Sequence, residues 1–317
     1  MHAAAINLRG GVSPRNTCLR GQVIIEYVLI IAIIGLVIVF AGPGVAGAIR
    51  NQFNLVGNTV NNGTTGGVEG GGASGGGSAG ADSATVQAAV AKDAKDWTLD
   101  EQEAVAEDIA KNGTSSIAYA KAKAAMDAGT KFSVKLTNGA TLEYRIVGIN
   151  HDDLADGSGK AGLTFLTTST TIYSRMNATN TNVGGWEKSE LRGRLNSGDL
   201  WSLLPTEIQS KVKSVKKISD NQGGGSAGTP SATTDKVFLL SSTEVWGDMQ
   251  SDGTQYEYYK SKGVTTSNYS GASSSSYHWT RSVYPSRSTC FRYVSNDGIG
   301  HYDSARNPYY VFPAWCF

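Results

Sequence analysis

The chain has 317 residues, a net charge of +1 and 17% charged residues. That length suggests about two domains, and the near-neutral balance excludes the basic stripe that nucleic-acid binding needs. The 39 glycines are clustered, which argues against one compact body, and Cys18, Cys290 and Cys316 show no metal-site spacing.

The first element is an apolar segment. Arg9, Arg15 and Arg20 precede it without an acidic residue, so the positive-inside rule keeps the amino end cytoplasmic and exports the rest. Residues 27–42 are uncharged, yet Glu26 stands at their edge, where a carboxylate entering a bilayer costs roughly 2.5–3.5 kcal/mol. A plain anchor over 27–49, or a secretory signal cut within "VAGA" at 45–48, leaves Glu26 unexplained. "RGQVIIEY", residues 20–27, and the helix and polar "RNQFN" tail after it resemble Flp-type (Tad) pilins, a branch of the type IV pilin superfamily. The resemblance covers residues 20 to about 57. It implies a prepilin peptidase cutting after Gly21, Gln22 as the new amino terminus, and Glu26 and Tyr27 as the Glu-Tyr pair of the mature pilin. Glu26 can then neutralise the Gln22 amine of a neighbouring subunit, since a buried charge is tolerable only when paired. The implied partners are other pilin subunits, the peptidase and, before assembly, the inner membrane. Flp pilins are usually little more than this helix, whereas about 260 residues succeed it here, which points to a minor or tip subunit.

Residues 57–80 hold 11 glycines and one charge, too little apolar surface to fold. As a coil they span about 25–30 Å. Three short helices are predicted next, in "SATVQAAVAKDAKDW", in "TLDEQEAVAEDIAKNG" with Thr98 and Glu101 at capping-box spacing, and in "TSSIAYAKAKAAMDAG". Leu99, Val105, Ile109, Ile117 and Tyr119 are their expected contact residues.

After Gly129 the pattern turns β-rich. "KFSVKLTNGATLEYRIVGIN" predicts a hairpin turning at Asn138-Gly139. "GLTFLTTS" predicts a strand, 186–195 a helix, and 200–204 a short turn. "TEIQSKVKSVKKI" is expected to be helical and "DKVFLLSSTEV" a buried strand. "YHWTRSV", "CFRYVSNDG" and "YYVFPAWCF" predict strands, with long irregular loops over 223–234 and 248–276. The organisation is α+β: leader (1–21), pilin-like apolar helix (22–56), Gly/Ser-rich linker (57–81), helical spacer (82–129) and ligand-binding domain (130–317).

The separated phrases "VGINHDDLADGSGKAG", "GGWEKSELRGRLN", "DKVFLLSSTEV", "WTRS" and "FPAWCF" are similar to a bacterial domain family, over roughly residues 130–317. The resemblance implies a C-type-lectin-like (formylglycine-generating-enzyme-like) fold. Proteins of this architecture include binding heads whose last strands and loops are rewritten by diversity-generating retroelements.

Residues 277–317 hold six of the fourteen tyrosines, with several arginines and many Ser, Asn and Asp. Tyr and Arg give large contact area and directional donors, while Ser and Asn give adaptable hydrogen bonds, as in a paratope. The expected ligand contacts are Tyr284, Ser286, Arg287, Arg292, Tyr293, His301, Asp303, Arg306, Asn307, Tyr309 and Tyr310, over a scaffold of Trp279, Val294, Val311, Pro313, Ala314 and Trp315. The competing reading of any one aromatic is strand packing. Cys290 and Cys316 form either a disulfide or two buried free thiols. Asp152, Asp153 and Asp156 offer Ca²⁺ oxygen ligands, but at no EF-hand spacing, so an ordinary turn comes before calcium, and no cofactor is expected.

The expected function is a pilin-like surface adhesin that presents this head, inserted in the membrane as a precursor and then displayed at the cell surface or pilus. Its external ligand would be a protein or glycan. The alternative is a membrane-anchored or secreted binder with the same head and no filament. A formylglycine-generating-type oxidase would need a reactive cysteine pair, and only Cys290 and Cys316 could supply it. A shared fold does not transfer function, and no enzyme is expected.

Overall fold

A computed structural model describes residues 83–317 except Asp248. The leader, the pilin-like helix and the linker, with Gly21, Gln22, Glu26 and Tyr27, lie outside the described residues. Among the described residues, no helix is long and apolar enough to cross a membrane.

The described chain is α+β. Helix α1 (Ser83–Ala91) precedes α2 (Leu99–Asn112), which opens on Thr98 with both halves of a capping box and ends at Gly113. Helix α3 (Tyr119–Ala128) ends on Gly129 in the left-handed conformation, as a Gly C-cap does. Val105 and Ile109 are fully buried, whereas Ile117 is 52% exposed and does not join the contact set expected for it.

These helices pack directly on the β-rich region. Trp97 stacks on Phe132 at 6.3 Å, the Tyr144 hydroxyl donates to Gln102, and the Asn150 side-chain amide donates to the Ile109 carbonyl. Helix α2 comes so close that a Cβ at Gly162 would meet the Ala106 carbonyl oxygen. The region expected as a spacer thus shares one compact unit with the head.

Strands β1 (Lys131–Lys135) and β2 (Thr141–Ile149) form the predicted hairpin, with Gly139 at φ 83° in its turn. They join β3 (Leu163–Thr167), β12 (Ala314–Cys316) and β7 (Val237–Phe238) in the order β1-β2-β3-β12-β7. A second sheet, β10-β9-β8-β11-β4, is built from β4 (Ile172–Ser174), β8 (His278–Val283), β9 (Cys290–Val294), β10 (Gly300–Ser304) and β11 (Tyr309–Val311). All its pairings are antiparallel except β8 with β11. A separate ribbon pairs β5 (Val215–Ser219) with β6 (Ser231–Asp235).

Several expectations are corrected. The helix over 186–195 is two short helices, α4 (Gly185–Lys188) and α5 (Glu190–Asn196), because Ser189 is extended and caps the second one. Within "TEIQSKVKSVKKI" only α6 (Thr206–Gln209) is helical. Its end, from Val215, enters β5, where Val215, Lys217 and Ser219 point inward in strand alternation. In "DKVFLLSSTEV" Asp235 ends β6, Val237–Phe238 is a separate short strand, and a Ser241–Glu244 capping box starts α7 (Ser242–Trp246). The loops expected over 223–234 and 248–276 also contain, in turn, most of β6 and α8 (Glu257–Ser261).

Candidate ligand-binding face

Strand alternation divides the expected contact residues between two faces of the second sheet. On β9 and β10, Tyr293 is opposite His301 and Arg292 is opposite Tyr302, so the two pairs point to opposite sides. One face carries Tyr293, His301, Asp303 and Tyr309. Tyr293 stacks on Tyr309 at 4.7 Å and on His301 at 5.6 Å, and Tyr277 meets both tyrosines edge-on. The rings rest on buried Trp279, whose indole N–H donates to the Ser174 carbonyl.

The other face carries Tyr284, Arg292 and Tyr310. Tyr284 stacks on Tyr302 at 3.8 Å, and the Arg292 guanidinium sits 4.8 Å from the Tyr284 ring centre while its Nε donates to Gln250. Burial draws the Arg292 pKa down, and the Tyr284 and Asp252 charges only partly offset it. Tyr310 pairs with β4 and meets Tyr173 edge-on at 5.0 Å. Ser286 and Arg287 are exposed on the β8–β9 loop, whose backbone is pinned where the buried Asn182 amide donates to the Arg287 and Cys290 carbonyls. Arg306 is exposed on the β10–β11 turn. The eleven residues therefore do not converge on one patch.

Asp303 organises that turn. It accepts hydrogen bonds from the Tyr309 hydroxyl at 2.6 Å and from Asn307 at 2.9 Å. Burial pulls its carboxyl up, but the bonds from Tyr309, Asn307 and the Ser304 amide outweigh it and hold the pKa below the usual value. Burial, with the Asp303 charge, pushes the Tyr309 hydroxyl far up. Tyr309→Phe should therefore raise the Asp303 pKa toward 3.8 and cost about 1 kcal/mol of stability. A pH titration of the Asp303 carboxyl by NMR checks this, and an unmoved pKa would mean the bond contributes nothing.

Sequence reasoning missed three residues of these surfaces: Tyr173, Tyr277 and Tyr302, exposed at 59%, 44% and 41%. Tyr302 was legible as the alternate of His301 once "GHYDS" is taken as a strand. The six scaffold residues are buried.

Sequence reasoning also missed a buried charge network beneath the sheet. A register shift between Trp279 and Val283 re-aims Arg281 inward. Its Nη1 and Nη2 both donate to the Glu244 carboxylate, and its Nε donates to Ser219. Lys217 Nζ pairs with Glu244 at 2.7 Å and also with Asp152, and lies 4.2 Å from the Phe238 ring centre. Thr164 and Tyr256 donate to the other Asp152 oxygen at 2.6 and 2.8 Å. A cleft of about 300 Å³, lined in part by His151, Lys216, Thr254 and Glu257, opens onto this network. The polar "WTRS" and "SSTEV" phrases were visible in the sequence, but nothing local announces that Arg281 and Glu244 meet.

The three aspartates of the calcium alternative have separate partners. Asp152 is committed to Lys217, Asp153 pairs with Lys160, and Asp156 accepts from Ser158. These three carboxylates face different partners, and among the described residues no group of His, Cys, Asp and Glu could hold a metal ion. The disulfide alternative is corrected: Cys290 and Cys316 are free and buried. Burial and the nearby Asp152 push the Cys316 thiol well above its ordinary pKa, the reverse of what a reactive thiolate needs.

Residues 161–316 match the family described as "Domain of unknown function (DUF6273)". No curated protein and no solved structure matches the chain. Over its β-rich part, then, this chain is similar to a domain whose description names no function.

Proposed function

We propose that the chain is a pilin-like surface adhesin whose head binds an external protein or glycan. The observation that carries this reading is the outward set of tyrosine, histidine, arginine and aspartate side chains on strands whose inward residues are fixed in the core. Such a surface can change its side chains without losing its scaffold, the property a diversified binding head requires. The mixed α+β architecture, with β12 returned between β3 and β7, supports a C-type-lectin-like head. The protonated, buried Cys316 thiol favours binding over oxidase chemistry.

Display on a Tad-type filament rests on Gly21, Gln22, Glu26 and Tyr27. The expected path is a membrane-inserted precursor, cleavage by the prepilin peptidase, and assembly with other pilin subunits at the cell surface. Amino-terminal sequencing of the mature chain tests it. Gln22 as first residue supports the filament. Ile49 points to a secreted binder, and an intact leader to a membrane-anchored one. Glu26→Val should still reach the membrane but assemble poorly, because the Gln22 amine loses its carboxylate. Normal piliation of that variant would sink the filament assignment.

A further inference from the structure

Strand β10 is an edge of the second sheet, and among the described residues no strand pairs with its outer side. Its odd-numbered residues turn their backbone groups toward β9, because the Ser295 N–H donates to the Ile299 carbonyl and the Ala305 N–H to the Thr289 carbonyl at the two ends of that ladder. The N–H and C=O groups of Gly300, Tyr302 and Ser304 therefore point outward. Ser304 is partly satisfied: its N–H donates to the Asp303 carboxylate at 2.7 Å, and its carbonyl accepts from the Asn307 N–H. The outward groups of Gly300 and Tyr302 make no hydrogen bond within the described residues. Tyr302 is 41% exposed and His301 is exposed beside it, so the edge is open.

An open edge is a template for another strand, and proteins commonly guard it with lysine or proline. The outer strand of the first sheet, β1, has Lys131 and Lys135 at its two ends, whereas "GHYDS" has neither lysine nor proline. The sequence of β10 also complements itself. Two copies set antiparallel about Tyr302 exchange both Tyr302 N–H···O=C bonds, which uses the outward groups, and Gly300 of each copy comes beside Ser304 of the other. His301 of each copy then lies opposite Asp303 of the other, in the non-hydrogen-bonded pairs where side chains come closest. The neighbouring registers that keep the outward groups facing set Asp303 against Asp303, or leave His301 facing His301 with no carboxylate. Like charges directly opposite are destabilising and opposite ones stabilising, so the pattern selects one register.

We propose that β10 is a docking edge for a second copy of this chain, through which two heads join their second sheets into one continuous sheet. The pairing sets the two faces that carry Tyr293, His301, Asp303 and Tyr309 side by side on the same side of that sheet. It rests on the edge strand alone, and not on which face holds an external ligand.

Disulfide trapping of the purified full-length chain tests it, in a Cys18→Ser background where Cys290 and Cys316 are buried. Five residues of edge make a small contact, which a covalent trap retains. Residues paired as Tyr302 is here have Cα atoms about 5.5 Å apart, within disulfide reach, so Tyr302→Cys should cross-link to a dimer on mild oxidation. His301→Cys and Arg306→Cys, at exposed positions, should cross-link at least about fivefold less, because neither residue faces its own copy in this register. Adding His301→Asp to Tyr302→Cys opposes carboxylates across the pair and should lower the yield by about fivefold or more. All these positions lie outside the core, so the variants keep the fold. No dimer from Tyr302→Cys, an equal yield from His301→Cys or Arg306→Cys, or a yield unmoved by His301→Asp would overturn the proposal.

Discussion

Replacing Glu244 by glutamine should remove about 3–5 kcal/mol of folding free energy. Glu244 accepts a bidentate pair from Arg281 and lies 2.7 Å from Lys217 Nζ, and all three side chains are at most 2% exposed. Removing one partner of a buried pair leaves the other charge desolvated without compensation, which costs more than the pair itself contributes. Domains unfold for about 5–15 kcal/mol, so this single change would consume a large share of the total. Glutamine is nearly isosteric and can keep the capping contact to the Ser241 backbone N–H, which isolates the charge. Urea unfolding of the full-length chain reads the loss. Combining Glu244→Gln with Arg281→Met should cost less than the two single changes added together, because both act on one interaction. A loss below about 1 kcal/mol in Glu244→Gln would mean that the network contributes little.

The same network sets a pH dependence. Burial pulls both carboxyls up, but Arg281 and Lys217 outweigh it at Glu244, and Lys217 with His151 outweighs it at Asp152, so both lie below their ordinary 4.5 and 3.8. A carboxyl depressed on folding stabilises the fold above its unfolded pKa, and that contribution is lost as pH falls through the folded one. Stability should therefore hold down to about pH 4.5 and fall progressively below it. For Lys217, burial pulls the ammonium down, but Asp152 and Glu244 outweigh it and raise the pKa above 10.5. Its contribution is complete below pH 10.5 and is lost as pH rises through the higher folded value.

What the sequence made legible is local. The capping box at Thr98 and Glu101, the terminating Gly113 and Gly129, and the Asn138-Gly139 turn each act within a few residues, and the structure has them where the pattern placed them. Ser241 and Glu244 have the same capping-box spacing, but the apolar "VFLL" before them reads as strand and masks the helix that follows. In "KVKSVKKI" the apolar positions fit either period, and pairing with β6 decides for strand. Strand β10, "GHYDS", has no apolar alternation because it is half-exposed, so only its pairing with β9 reveals it. The candidate surface shows the same limit. Tyrosine and arginine density marked the segment, but the assignment of Tyr293 and Arg292 to opposite faces comes from register. So does the burial of Arg281, which depends on an irregular stretch of β8.

Removing Tyr293 and Tyr309 together should abolish attachment to the external ligand while the head stays folded. The two rings stack on each other at 4.7 Å and form the centre of their face, between His301 and Tyr277. Truncating a central aromatic contact typically costs at least about 2 kcal/mol of binding, so the double alanine variant should weaken attachment by about 100-fold or more. Both rings also cover Trp279, and a stability loss of about 1–3 kcal/mol is expected alongside. His301→Ala and Arg306→Ala serve as controls, because both side chains are exposed and should change binding with little change in melting. The opposite face supplies the contrast, through Tyr284→Ala with Arg292→Ala. Adhesion of cells carrying each variant to a panel of glycans and surface proteins separates the outcomes. Loss in the Tyr293/Tyr309 pair alone assigns the ligand to that face, and loss in the Tyr284/Arg292 pair alone moves it across the sheet. Unchanged adhesion in both pairs would remove the second sheet from the binding surface. Sequencing codons 277–317 across a growing population adds an independent measure. A diversified head would concentrate its changes at the face that the variants identify and spare Trp279, whose burial leaves no room for substitution.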